Sequence, residues 1–108
     1  MIDWDRLQGL RGDIGEEDFA EVALIFVAEI TEHLDRLTAA PASATAGDFH
    51  LLRGSAANMG FAAMVAACQG AETACLGGRP PDIAAICDLF TASRAAVAPH
   101  IPGIASAA

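Results

Sequence analysis

The sequence has no lysine and no tyrosine, a single tryptophan (Trp4), and six basic residues, all arginine, against fourteen acidic ones. A formal net charge of −8 creates a field that repels nucleic acid and anionic membranes, so neither is an expected partner. No apolar run approaches the ~18–20 residues that span a bilayer. The opening Met1-Ile2-Asp3-Trp4-Asp5 is acidic where a secretory signal is basic and then apolar. A cytoplasmic protein is therefore expected. Cys68, Cys75 and Cys87 are an odd set without CxxC spacing, which argues against a disulfide framework; free thiols in a helical core are the expectation. No His or carboxylate stands at ligand spacing from them, so no metal site and no cofactor of the chain's own is expected.

Also missing are clusters of β-branched and aromatic residues that would make strands. Hydrophobic residues reach 54% of 108, much of it alanine, which favours closely packed helices in a single domain spanning residues 1–108. Punctuation divides the chain into five helical segments. Asp3 is placed to cap a short helix ending near Leu10, with Trp4, Leu7 and Leu10 on one side, and Arg11-Gly12-Asp13 is expected to break it. Glu16, Glu17 and Asp18 open a second helix that runs to about Ala39. Its apolar stripe is Phe19, Val22, Ala23, Phe26, Val27, Ile30, Leu34 and Leu37. A third runs from near Thr45, with Asp48 as capping-box partner, to about Gly60. The fourth covers about Ala62 to Leu76, stopped by Gly77-Gly78, and the fifth roughly Asp82 to Ala98, after Pro80-Pro81. Pro99 and Pro102 end it, and residues 98–108 are expected to fray. Short connections between one-sided helices predict an all-α fold, an antiparallel four-helix bundle with a short N-terminal cap helix.

The informative string is Phe49-His50-Leu51-Leu52-Arg53-Gly54-Ser55-Ala56-Ala57-Asn58-Met59-Gly60. At about 100° per residue, Phe49, Leu52, Ala56 and Met59 share the core side, while His50, Arg53, Gly54 and Ala57 share the other. His50 is thus predicted to face solvent with its i+3 and i+4 neighbours beside it. Arg53 puts a permanent cation within reach of any anion on the imidazole. Gly54 costs a helix about 0.5–1 kcal/mol relative to alanine, and beside His50 it clears the approach for a partner. An imidazole of ordinary pKa ~6.5 is largely neutral and nucleophilic near neutral pH. Each feature also has an ordinary explanation: a surface histidine, a solvated arginine, a glycine that lets helices pack closely. Their combination in one short string favours chemistry.

His50-Leu51-Leu52-Arg53-Gly54-Ser55, followed by Gly60, resembles the signature of the histidine-containing phosphotransfer (HPt) family, His-x-Leu-Lys-Gly-Ser and a later glycine. Ile2-Asp3-Trp4, the Ile14 to Phe19 entry to the long helix, Gly47-Asp48, and Cys68 to Glu72 fit as well, so the resemblance runs to about Gly78. The last helix matches in length and pattern. The resemblance implies that His50 accepts a phosphoryl group on Nε2 from a receiver aspartate and donates it to another. Arg53, where the family usually has Lys, would balance phosphoryl charge, and Gly54 would give clearance. Glu72 would accept from His50 Nδ1–H and so fix the tautomer; its ordinary alternative is a solvated acid, and Gln69 is the fallback partner.

The partners so implied are response-regulator receiver domains, which would supply the aspartate and Mg²⁺, and a hybrid sensor histidine kinase. No nucleotide-binding loop is visible, so a phosphoryl carrier and not an enzyme is expected, acting as a monomer through a small transient interface. That interface is expected around His50, with Leu51, Phe61 and residues of the first helix. His33 and His100 are expected as plain surface residues. Two other functions compete: a docking or adaptor module that binds a receiver or kinase without transfer, and the excised phospho-accepting domain of a chemotaxis-type kinase, phosphorylated from ATP by a separate catalytic domain.

Overall fold

A computed structural model describes residues 1–106. The described chain is all-helical: α1 (Trp4–Ile14), α2 (Glu16–Ala39), α3 (Ala46–Asn58), α4 (Ala62–Leu76) and α5 (Ile83–Val97). Short 3-10 turns lie at Pro41–Ser43, Ala98–His100 and Ile104–Ser106. Helix α2 is the long axis of the molecule, and α3 and α4 form its closest helix pair. The apolar period of α2 is realised as Phe19, Ala23, Val27, Ile30, Leu34 and Leu37, all buried, whereas Val22 and Phe26 at the edge of the stripe are half-buried. From α3 come Phe49, Leu52 and Ala56, followed by Met59; from α4 come Met64, Cys68 and Ala71. Alanines at the contact points let helix axes approach closely, the structural consequence of the alanine-rich composition.

Helix α1 corrects an expected boundary. It continues through Arg11-Gly12-Asp13 to Ile14 and breaks at Gly15, whose φ of 98° is open to glycine alone at little cost. One glycine costs a helix only ~1 kcal/mol, and Arg11 makes several contacts that favour its continuation. Its guanidinium lies 4.7 Å from the Phe19 ring centroid, 3.5 Å from Glu16, and donates to the His100 carbonyl at 3.2 Å.

The start of the chain is tied to the α3–α4 reversal. Asp3 N–H donates to the Gly60 carbonyl at 2.7 Å, and Ile2 pairs with Phe61 as an isolated bridge. Gly60 has φ 70°, and a Cβ there would lie 2.5 Å from the Asp3 carbonyl oxygen, so only glycine allows this approach. Arg6 adds hydrogen bonds to the Ala57 carbonyl at 3.3 Å and to Asn58 Oδ1 at 2.9 Å.

The segment after α5 also departs from expectation. Fraying is not what residues 98–104 do: Ile101 and Ile104 are completely buried, and Arg94 Nε donates to the Ile104 carbonyl at 2.9 Å. Helix α5 ends at Val97, two residues before Pro99, but Ile101 and Ile104, which follow Pro99 and Pro102 respectively, gain more from burial than the chain loses in freedom. The expectation for 107–108 lies outside the described residues. Ile104→Ala is predicted to destabilise the protein by about 2–5 kcal/mol in urea unfolding; a change under half a kcal/mol would mean the segment is not docked.

At the start of α3 the capping box is complete. Thr45 Oγ1 accepts from Asp48 N–H, and Asp48 Oδ2 accepts from Thr45 N–H at 2.8 Å and from the Thr45 hydroxyl at 3.0 Å. Asp48 Oδ1 also accepts from His33 Nε2 of α2 at 2.9 Å. His33 is therefore largely buried, its side chain 13% exposed, which corrects the expectation of a plain surface residue. Burial of the Asp48 carboxyl opposes its ionisation. The hydrogen bonds from His33 and Thr45, with the His33 charge, outweigh that and hold its pKa below the ordinary 3.8. A carboxyl with a lowered folded pKa contributes its stability above the unfolded value and loses it as pH falls through the folded one. Asp48→Asn is thus predicted to cost stability at neutral pH, with the gap from wild type closing as urea midpoints are followed below pH 3.8; a gap independent of pH would refute the ionised clamp.

Candidate functional site

The site is built on the solvent side of α3. Phe49 and Leu52 are buried at 0% and 1% exposure, which fixes the rotation of the helix and turns His50 outward with its side chain 64% exposed. Leu51, the next residue, is 66% exposed. Arg53 and Gly54 follow one turn on, and Glu72 reaches the same place from α4. The α3–α4 reversal through Met59-Gly60-Phe61 is what sets Glu72 beside His50, across 22 residues of sequence.

Three side chains meet here. Arg53 Nη2 donates to His50 Nδ1 at 2.9 Å. Glu72 Oε1 lies 3.4 Å from the same Nδ1, and Glu72 Oε2 lies 3.6 Å from Arg53 Nη2. His50 is open to solvent, while Arg53 and Glu72 are 28% and 21% exposed beneath it. Glu72 Oε2 is buried and accepts no hydrogen bond, so this carboxylate has unused acceptor capacity next to the imidazole. Gln69, the alternative partner, is exposed on α4, and the described polar contacts of the His50 ring go to Arg53 and Glu72.

Gly54 is exposed, and a Cβ built on it meets nothing within 4 Å beyond the helix itself. Close helix packing therefore does not explain it, since nothing packs there. The glycine leaves open surface one turn from the imidazole.

Two residues expected on the recognition surface separate here. Phe61 is completely buried, its ring centroid 6.3 Å from that of Phe90, so it belongs to the core. It was expected in the interface around His50, but it lies in the core and pairs with Ile2 at the start of the chain. Trp4 of α1 is 41% exposed and meets the His100 ring edge-on at 4.9 Å. Leu76, one turn beyond Glu72 on α4, is 76% exposed, and sequence reading did not single it out. Its spacing of four from Glu72 was the available signal.

The three cysteines are free, and Cys68 is buried, which pushes its thiol up to about 11, against a smaller opposing pull from Arg53. Among the described residues no group of three or more His, Cys, Asp or Glu could hold a metal ion, and no helix is long and apolar enough to cross a membrane.

An exposed imidazole on a rigid helix, with a cation and a carboxylate against its inner nitrogen, can act as a nucleophile toward an electrophile brought by another molecule. It cannot enclose a substrate. Gly54→Ala is predicted to raise stability by about 0.5–1 kcal/mol, measured by urea unfolding, because the methyl group meets open space and the helix gains propensity. A loss of stability instead would reveal a packing role for the glycine.

Among known families, the model described as Hpt domain matches residues 21–98, from within α2 to just past the end of α5. The match thus takes in the last helix, beyond the motif-bearing region. No curated protein and no solved structure matches the chain.

Proposed function

The chain belongs to the Hpt domain family, whose members carry phosphoryl groups on histidine, and from that membership we propose that it is the phosphotransfer intermediate of a multistep phosphorelay, with His50 as the carrier. The observation that carries this reading is the exposure of His50 on α3 beside an open Gly54 and the Arg53 cation. Hpt domains are carriers rather than catalysts, and the proposed partners are receiver domains of response regulators and of a hybrid sensor kinase, which supply the aspartate and Mg²⁺. The proposed scaffold is an antiparallel four-helix bundle, α2 to α5, with α1 capping one end, working as a cytoplasmic monomer.

In the proposed transfer the Nε2 lone pair of neutral His50 attacks the phosphorus of a receiver's aspartyl phosphate in line with the departing oxygen. The N–P bond forms as the bond from phosphorus to the aspartate oxygen breaks, and the aspartate leaves as a carboxylate. Arg53 is the cation available to the phosphoryl oxygens, and Gly54 leaves room for the receiver's surface. Glu72 accepts from Nδ1–H, so that the positive charge left on the phosphorylated ring faces a carboxylate. Return of the group to a second receiver aspartate runs the same steps backwards. Leu51 and Leu76 are proposed as apolar contacts in a small, transient interface.

The test is transfer from a labelled, phosphorylated receiver of a hybrid kinase to the wild type and to His50→Gln. Acid-labile, base-stable label is predicted on the wild type and none on the variant. Binding of receivers without label on either protein would favour a docking module, and label arriving only from an ATP-dependent kinase domain would favour the chemotaxis-type reading.

A further inference from the structure

The contacts at Nδ1 conflict with the tautomer that transfer requires. A guanidinium has only donors and stays charged at any working pH. The 2.9 Å contact from Arg53 Nη2 is therefore a hydrogen bond only when Nδ1 offers its lone pair. A neutral imidazole has one N–H, so the proton then resides on Nε2, the outward nitrogen. In that form Nε2 has no lone pair with which to attack phosphorus. Glu72, meanwhile, accepts well from Nδ1–H only in the opposite tautomer. Its Oε1 lies 3.4 Å from Nδ1, long for a hydrogen bond to a carboxylate, and its buried Oε2 accepts no hydrogen bond, although it is ion-paired with Arg53 Nη2 at 3.6 Å.

We propose that Arg53 is a positioning residue that holds resting His50 as its Nε2–H tautomer, and that Glu72 is the acceptor waiting for the other. Loss of the Arg53 contact lets the ring lose a proton from Nε2 to water and gain one from water at Nδ1, with no net change in charge. Nδ1–H then donates to Glu72, and the Nε2 lone pair turns outward. The phosphoryl oxygens of an approaching receiver are the stronger ligand for the guanidinium, because they are anionic acceptors and a neutral imidazole nitrogen is not. The chain would thus present a protonated outer nitrogen to solvent and a nucleophilic one to its phosphodonor. The consequence for transfer rests on His50 being the phosphoryl carrier; the tautomer assignment stands without it.

Nitrogen NMR of uniformly labelled protein reads the tautomer directly, since pyrrole-like and pyridine-like ring nitrogens are well separated. Spectra at about pH 8.5 keep a histidine of ordinary pKa neutral. Arg53 and Glu72 are the groups whose polar atoms meet the ring, and the nearby Cys68 thiol, pushed up to about 11 by burial, is protonated at that pH. Wild-type His50 is expected to be mainly Nε2–H, and Arg53→Ala to invert the ratio to mainly Nδ1–H. The double variant Arg53→Ala, Glu72→Ala is expected to lose that excess of Nδ1–H. An unchanged ratio in Arg53→Ala would overturn the proposal, as would Nδ1–H dominance in the wild type or its persistence in the double variant. Backbone amide dispersion confirms that each variant is folded. Inversion of the tautomer with no phosphotransfer to either protein would uphold the role of Arg53 while removing His50 as carrier.

Discussion

Everything at the site depends on the rotation of α3 about its own axis. Phe49, Leu52, Ala56 and Met59 are all buried to within 1% of completely, and they occupy one side of the helix. Full burial of a large apolar side chain is worth about 1.5–3 kcal/mol, so Phe49, Leu52 and Met59 together far outweigh the ~1 kcal/mol that Gly54 costs. A rotation of one residue, about 100°, would bring His50 into the core and put Phe49 in water. The reactive face is therefore held by packing on the opposite side, and needs no contacts of its own to stay in position. That leaves its residues free to be selected for approach and charge. The capping box of Thr45 and Asp48, with His33 braced against it from α2, fixes the first turn of the same helix two residues before His50.

This division explains which parts of the molecule were legible in the sequence. The helical period settles which residues of α3 and α2 point inward, because a wrong assignment there would expose several large side chains at once. The capping box was legible for a similar reason: its partners lie three residues apart, so local geometry alone brings them together. The errors fell where distant parts of the chain decide the matter. Gly12 should interrupt α1 on propensity, but Arg11 is held by Glu16 and Phe19 across the break and by the distant His100 carbonyl. Ile101 and Ile104 lie among prolines and small residues after the last helix, and only their packing into the common core makes them buried. Phe61 is covered by the opening residues of the chain, and His33 by a carboxylate fifteen positions away.

The same limit applies inside the site. A helical projection puts Arg53 one turn from His50 but does not say which atom of the ring the guanidinium meets. The resemblance to the phosphotransfer signature suggested a cation reserved for the phosphoryl group and a carboxylate bonded to Nδ1. The structure has both residues in reach, with the cation on the nitrogen meant for the carboxylate. Side-chain length is responsible, since arginine from i+3 reaches back along the helix as far as the ring.

Arginine rather than lysine at position 53 has a physical meaning in this setting. The chain contains no lysine, and its arginines serve repeatedly as planar forks that join separate elements. Arg6 bridges α1 to the end of α3, Arg11 reaches the segment after α5, and Arg94 holds that segment from within α5. Arg53 does the same on a smaller scale, with one Nη2 set between the imidazole and the buried Oε2 of Glu72. A lysine ammonium is a compact, strongly hydrated charge that gains less from such a fixed half-buried position and would be held there less firmly. A guanidinium carries five N–H donors, so one can be engaged by Nδ1 while others are left for a second acceptor. The chain as a whole is acidic, with a net charge of −8, and Arg53 sets a cation directly against the imidazole of His50.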